Sequence, residues 1–154
     1  MLNYNKTGIK NPVISEFYHF NTNKTLAEVA ETLNYYLRFT REVIFEEVRK
    51  DFFPDRPSRY RGLWVIPDDT DCLRYWWNTL GKNGAILKLK ITGKLHRANQ
   101  QYLMINTNRL DFIRQEAFKY WAGTTGINRV EEECLFEGFI EVIDIINPKD
   151  IGII

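Results

Sequence analysis

The chain has 154 residues with a formal net charge of +1, and 44% of its residues are hydrophobic and 14% aromatic. This length and composition suit one compact domain with a real core, and they argue against disorder. A charge near zero supplies no global field for binding nucleic acid or membrane, although a local groove needs only a few basic residues. No apolar run approaches the ~18 residues of a membrane span, and residues 1–11 lack the apolar centre of a signal peptide. We therefore expect one cytoplasmic domain over residues 1–154, with its core at about 13–146, and no membrane partner.

Hydrophobic periodicity predicts alternating strands and helices along the chain. In order, these are a strand at 13–20, a long helix after Thr25 that ends before Pro54, a strand at 59–66, and a short helix capped by Thr70 and ended by Gly81. A strand at 85–91, a helix from Leu110 to Trp121 that is ended by Gly123, and a strand at 131–145 follow. The long helix is either one helix or two that meet near Thr40. Residues 93–101 are predicted to be irregular.

The predicted strand at 85–91 alternates cleanly between apolar and basic residues. Its inward residues are predicted to be Ala85, Leu87, Leu89 and Ile91, and its outward residues Lys88 and Lys90. Such alternation is typical of a half-exposed antiparallel strand rather than of a doubly wound parallel sheet. The fold class predicted from the residues alone is therefore α+β.

Two cysteines, Cys72 and Cys134, stand far apart in apolar surroundings, and we expect buried thiols rather than a disulfide. The two histidines and two cysteines show none of the short spacings of a zinc site, so no metal is expected. The sequence also has no phosphate-binding P-loop, no dinucleotide Gly-x-Gly-x-x-Gly and no Gly-x-Ser-x-Gly elbow.

Three consecutive carboxylates open the last predicted strand. Strand alternation places Glu131 and Glu133 on one face and Glu132 on the other. An inward carboxylate is costly unless it has a partner or a task. Three consecutive carboxylates by themselves are most often the solvated start of a strand. Whether they indicate a functional site depends on the other polar residues.

Two earlier predicted strands carry polar residues that suit ligand binding. His19 is either a core or rim histidine bonded to backbone or a donor to a ligand hydroxyl. Arg59 and Arg61 share a strand face and would clamp a diphosphate, because arginine makes bidentate contacts to phosphate oxygens. The alternative is a pair of surface arginines that meet Asp55 or glutamates.

An aromatic cluster lies in the short predicted helix. Trp76 and Trp77 fit the apolar stripe of that helix and indicate core packing. Tyr75 lies off the stripe and is a candidate for stacking on a planar ligand.

The order of these motifs resembles the ADP-ribosyltransferase-like fold, as found in small bacterial domains of unknown function and, more distantly, in DNA-targeting ADP-ribosyltransferase toxins. The resemblance spans roughly residues 14–145 and rests on five short segments, at 17–20, 58–65, 75–77, 120–123 and 133–136. It implies a single domain with a split, mixed, mainly antiparallel sheet and flanking helices.

The resemblance also implies that NAD is a substrate. The residues that it places at NAD are His19 at the ribose, Arg59 and Arg61 at the diphosphate, and Tyr75 on the nicotinamide. Tyr18 is a further residue that it places in the NAD-binding set. Tyr60 and Trp76 are alternatives for the stacking position, and Arg59 is the better match for an arginine that also supports the reaction.

The catalytic glutamate of the family opens a late strand, and Glu133 matches that position. Breaking the ribosyl–nicotinamide bond builds positive charge on the ribose, which a fixed carboxylate stabilises in the transition state. Glu131 resembles the first residue of a Glu-x-Glu pattern and would orient or deprotonate the acceptor. Which of Glu131, Glu132 and Glu133 is catalytic stays open at this point.

The function that this resemblance implies is NAD-dependent ADP-ribosyl transfer by a toxin or phage-defence effector. The acceptor would be nucleic acid or protein, and an antitoxin is a possible partner. The alternatives are a catalytically inactive module that binds a nucleotide or a partner, and a plain NAD glycohydrolase.

Overall fold

The computed structural model describes residues 25–82, 84–105 and 107–153. It divides the chain into two units, Met1–Arg38 and Phe39–Ile154, of which the first is described at 25–38. The strand predicted at 13–20 lies outside the described residues, and so do Tyr18 and His19. One domain over the whole chain stays a prediction.

Helix α1 (Leu26–Phe52) is continuous through Thr40, so the long helical segment is one helix. A capping box begins it: the backbone N–H of Thr25 donates to Glu28 Oε2 at 2.6 Å, and the backbone N–H of Glu28 donates to Thr25 Oγ1 at 3.3 Å. The helix ends before Pro54, as predicted. Within the second unit its buried apolar residues are Phe45 and Val48.

Three strands, β1 (Leu63–Val65), β2 (Ile86–Asn99) and β3 (Glu132–Ile146), form an antiparallel sheet in the order β1-β3-β2. The described residues thus confirm an α+β fold with antiparallel pairing. Glu132 and Glu133 begin the central strand, β3.

Two further α-helices complete the described fold, α2 (Thr70–Thr79) and α3 (Leu110–Ala122). Helix α3 ends as predicted at Gly123, which takes the left-handed conformation with φ 70°. The prediction that Thr70 caps α2 is wrong. Asp69 is the N-cap, because its carboxylate accepts hydrogen bonds from the backbone N–H groups of Asp71 and Cys72. Short 3₁₀ helices cover Gln100–Leu103, Arg129–Glu131 and Pro148–Ile151.

Two strand predictions are wrong in their extent. Residues 59–61 form a turn rather than the start of a strand, and the N–H of Gly62 donates to Ser58 O at 2.7 Å. Arg59 and Arg61 therefore do not share a strand face. Conversely, residues 93–99, predicted to be irregular, belong to β2, because their backbone pairs with β3 as far as Asn99 opposite Glu132.

The core lies where α1 and α3 pack on the sheet. Its fully buried members include Phe45, Tyr120, Trp121 and Leu135. The indole N–H of Trp121 donates to Phe45 O at 2.7 Å and joins the two helices. Both cysteines are buried free thiols, as predicted.

Beyond a facing pair of glycines, β2 and β3 continue as a two-stranded ribbon. Gly93 is paired with Gly138, and a Cβ on Gly93 would lie 2.8 Å from the Cα of Gly138 and would overlap the carbonyl oxygen of Glu137. The residues predicted to face inward at 85–91 lie on this ribbon, and Leu87 is 47% exposed. Ala85 is exposed as well, so the predicted inward face is wrong at these two residues, whereas Leu89 and Ile91 are half-buried and the intervening Lys90 is exposed. No helix of the described residues is long and apolar enough to cross a membrane.

Candidate active site

Glu133 stands near the buried entry of β3, opposite Ala98 of β2. Its side chain is 11% exposed. The hydroxyl of Tyr120 donates to Glu133 Oε1 at 3.1 Å, and Arg59 Nη1 lies 3.7 Å from the same oxygen. Glu133 Oε2 accepts no hydrogen bond from the residues that the structure describes. One oxygen of this carboxylate is thus fixed, and the other is uncommitted within the described chain.

Arg59 reaches this cluster from the turn before β1. It donates from Nε to Glu42 Oε2 at 2.6 Å and from Nη2 to Glu42 Oε1 at 2.9 Å, a bidentate fork. Its Nη1 donates to Tyr120 Oη at 3.0 Å. The guanidinium carbon lies 4.5 Å from the ring centroid of Trp64, and 5% of the side chain is exposed. Arg59 is therefore a buried cation that joins two carboxylates and a phenol.

The two carboxylates beside Arg59 differ in their proton affinity. Burial opposes ionisation of Glu42, but the hydrogen bonds and charges of Arg59 and Arg41 outweigh it and lower the pKa of Glu42. Burial raises the pKa of Glu133 to about 7, while the charge of Arg59 and the hydrogen bond from Tyr120 oppose that rise. Burial, more than any other cause, places the pKa of Glu133 in the range that suits a general acid or base at neutral pH.

The ring of Tyr120 is enclosed by other aromatic groups. Burial and the nearby charge of Glu133 raise the pKa of Tyr120, so the phenol keeps its proton. His96 Nε2 lies 2.9 Å from the carbonyl oxygen of Tyr120. Burial lowers the pKa of His96 to about 4, so this ring is neutral and donates to that carbonyl.

A second polar network holds the turn that carries Arg59. Arg49 Nη2 donates to Glu46 Oε1 at 2.8 Å, and Ser58 Oγ donates to the same oxygen at 3.0 Å. The backbone N–H of Ser58 also donates to Glu137 Oε2 at 3.3 Å. These bonds tie the turn to α1 and to β3, and they fix where Arg59 enters the core.

The structure brings together two of the residues predicted for the site, Arg59 and Glu133. Arg61 turns away, with 70% of its side chain exposed and Nη2 3.2 Å from Glu137 Oε1. The hydroxyl of Tyr75 accepts a hydrogen bond from Gln100 Nε2 at 2.5 Å. Both lie outside the cluster around Glu133.

The other two glutamates of the strand entry are also placed apart from Glu133. Glu131 belongs to a 3₁₀ helix and accepts a hydrogen bond from Asn128 Nδ2 at 3.0 Å, so the prediction that it shares a strand face with Glu133 is wrong. Glu132 points the other way, as predicted, and pairs with Arg97 at 2.8 Å.

Sequence reasoning missed Glu42 and Tyr120 as members of the site. One signal was present: Glu42, Glu46 and Arg49 recur at helical spacing beside the apolar residues Phe45 and Val48. Charged residues that border an apolar stripe indicate buried pairing, but the pattern does not name the partner on another element.

Two surface concavities of the described chain lie away from this cluster. One, within the first unit, is lined by Glu28, Glu31, Thr32, Tyr35 and Tyr36. Another, of about 350 Å³, is lined by residues 52–56 with Lys94 and Leu95. Neither lining includes Arg59 or Glu133.

Fold and site together define a small α+β protein whose central strand opens on a buried cluster of carboxylate, arginine and tyrosine. The profile of a family described as "Protein of unknown function (DUF2441)" matches residues 2–148, and the chain belongs to that family. No curated protein matches the chain.

Proposed function

We propose that the chain is an NAD-dependent ADP-ribosyltransferase and that Glu133 is its catalytic carboxylate. The observation that carries the proposal is the arrangement at Glu133. Tyr120 and Arg59 hold Oε1, whereas Oε2 accepts no hydrogen bond from the described residues and is the atom for a ribose hydroxyl. The resemblance of the motif order supplies the substrate class.

In the proposed reaction, the bond between the ribose and the nicotinamide nitrogen breaks, and its electron pair leaves with nicotinamide. A nucleophile of the acceptor forms the new bond to the same ribose carbon and loses its proton to Glu133 or to water. The ionised carboxylate stabilises the positive charge that develops on the ribose. Because burial raises the pKa of Glu133 to about 7, transfer is expected to rise as the pH passes through that value.

The role proposed for Arg59 follows from its contacts. Its donors are directed to Glu42 and Tyr120, so in this proposal it fixes the carboxylate cluster instead of clamping the diphosphate. The exposed Arg61 remains the candidate for the diphosphate. His19, Tyr18 and Tyr75 stay predictions for NAD binding, and so does Glu131 for the acceptor.

The test is transfer of label from NAD by the purified chain to nucleic acid and to protein from cell extract. Glu133→Gln keeps the shape of the side chain but removes its charge, and it should lower transfer and nicotinamide release about 100-fold or more. The matched control is Glu141→Gln on the same strand, since Glu141 is 67% exposed and pairs only with Lys90 among the described residues. If wild type and Glu133→Gln are equally silent with both acceptors, the enzyme proposal fails.

A specific observation favours a second candidate, a module that binds a nucleotide or partner without catalysis. The donors of Arg59 are occupied, and the described concavities lie away from Glu133. Calorimetry separates the two, because binding of NAD without release of nicotinamide supports the module. Release of nicotinamide with no labelled acceptor would indicate a glycohydrolase.

A further inference from the structure

We infer that Tyr120 is the positioning residue of Glu133: its hydroxyl fixes the orientation of the carboxylate and stabilises the ionised form. The catalytic meaning of this inference rests on the proposed function, whereas the contact itself does not. Tyr120 lies in one of the five segments on which the resemblance rests, but the resemblance gives this residue no role in the site.

The direction of the hydrogen bonds follows from the chemistry of the partners. A guanidinium has only donors, so Arg59 Nη1 donates to Tyr120 Oη across 3.0 Å. The hydroxyl proton of Tyr120 is then directed to its other neighbour, Glu133 Oε1, at 3.1 Å. Arg59 therefore makes Tyr120 a donor to the carboxylate.

The position of the hydroxyl is set by the fold and not by Glu133. Tyr120 is fully buried in the last turn of α3, and its ring meets those of Phe45 and Trp121 edge to face, at centroid distances of 5.5 and 4.9 Å. Its carbonyl oxygen accepts the bond from His96. Because the fold already holds this donor in place, it stabilises the carboxylate with no further loss of conformational entropy.

A hydrogen bond to a charged acceptor is stronger than one to a neutral acceptor. The hydroxyl of Tyr120 therefore favours ionised Glu133 over protonated Glu133. Without it, Glu133 should hold its proton to a higher pH and lose the contact that keeps Oε1 occupied and Oε2 open.

Tyr120→Phe tests this by urea unfolding at about pH 5 and about pH 9. The matched control is Tyr102→Phe, which also removes one buried tyrosine hydroxyl, bonded to Thr125 O at 3.0 Å. For Tyr120→Phe, the loss in the folding equilibrium constant should be up to about tenfold greater at the higher pH, since one hydrogen bond to a charged group is worth about one pK unit. Tyr102→Phe should cost the same at both. An equal cost of Tyr120→Phe at both pH values would overturn the inference.

Tyr120→Phe in the Glu133→Gln background tests whether the pH dependence comes from Glu133. Its cost should then lose its pH dependence, and a dependence that persists would also overturn the inference. In the active chain, Tyr120→Phe should move the acidic limb of the pH profile of kcat up by about one pH unit with little change in KM. If wild type does not cleave NAD, the proposed function fails, while the unfolding comparison still decides the role of Tyr120.

Discussion

Glu133 and His96 are buried titratable side chains on neighbouring strands, and burial shifts their pKa values in opposite directions. The pKa of Glu133 rises from 4.5 to about 7, and that of His96 falls from 6.5 to about 4. In both cases the neutral form is favoured inside the protein. The contribution of Glu133 to the stability of the fold is fully present at a pH below the pKa of Glu133 in the unfolded state. It is lost as the pH rises through about 7. The contribution of His96 is fully present at a pH above the pKa of His96 in the unfolded state, and it is lost as the pH falls through about 4.

In the wild type, the pH-dependent contributions of Glu133 and His96 to the free energy of unfolding offset each other. In Glu133→Gln only the contribution of His96 remains. The variant should gain free energy of unfolding relative to wild type as the pH rises, by about 3 kcal/mol between about pH 4.5 and about pH 8, because it no longer carries a buried charge. Urea unfolding across that range measures the difference. Glu141→Gln on the exposed ribbon should show no such trend. A flat difference for Glu133→Gln would mean that the pKa of Glu133 in the native state is the same as in the unfolded state.

At the scale of elements, the N-cap of α2 offers a direct comparison between two adjacent residues. Asp69 accepts hydrogen bonds from two backbone N–H groups of the first turn, at 3.0 and 3.1 Å, and its other oxygen contacts Arg129. Asp69→Ala should lower the urea midpoint of unfolding clearly more than Thr70→Ala does, since only the former leaves helix donors unpaired. The reverse order would mean that Thr70 caps the helix after all.

The helices were predictable because their signals are local. Thr25 and Pro54 bracket α1, and Gly123 ends α3, each through hydrogen bonds or backbone preferences of nearby residues. The first and last residues of the strands were less predictable, because they depend on where the partner strand offers backbone hydrogen bonds. β2 continues through His96 and Asn99, which break the alternation, since their backbone groups pair with β3.

The candidate site was predictable only in part. Strand alternation separated Glu133 from Glu132, and the order of motifs gave Glu133 and Arg59. Glu42 and Tyr120 come from two helices, and their meeting with Arg59 depends on how those helices pack on the sheet. No local pattern encodes that packing.

At the scale of the whole molecule, the proposed activity predicts an effect on a host cell. Expression of the chain should slow growth, because transfer consumes NAD and modifies cellular acceptors. Glu133→Gln at equal protein level should restore growth, and Glu141→Gln should not. Growth curves with immunoblots measure this. Equal toxicity of wild type and Glu133→Gln would show that the effect does not depend on the carboxylate.

The facing pair of Gly93 and Gly138 selects one alignment of the two long strands. A slip of one residue would exchange the faces of β3, and a slip of two would set a side chain against each glycine. At this crossing a Cβ on either glycine would lie 2.8 Å from the Cα of the other, too close for any side chain. Glu133 lies five residues before Gly138, just as Ala98 lies five residues after Gly93. By fixing the register of β2 against β3, these two glycines also fix the position at which the Glu133 carboxylate enters the core.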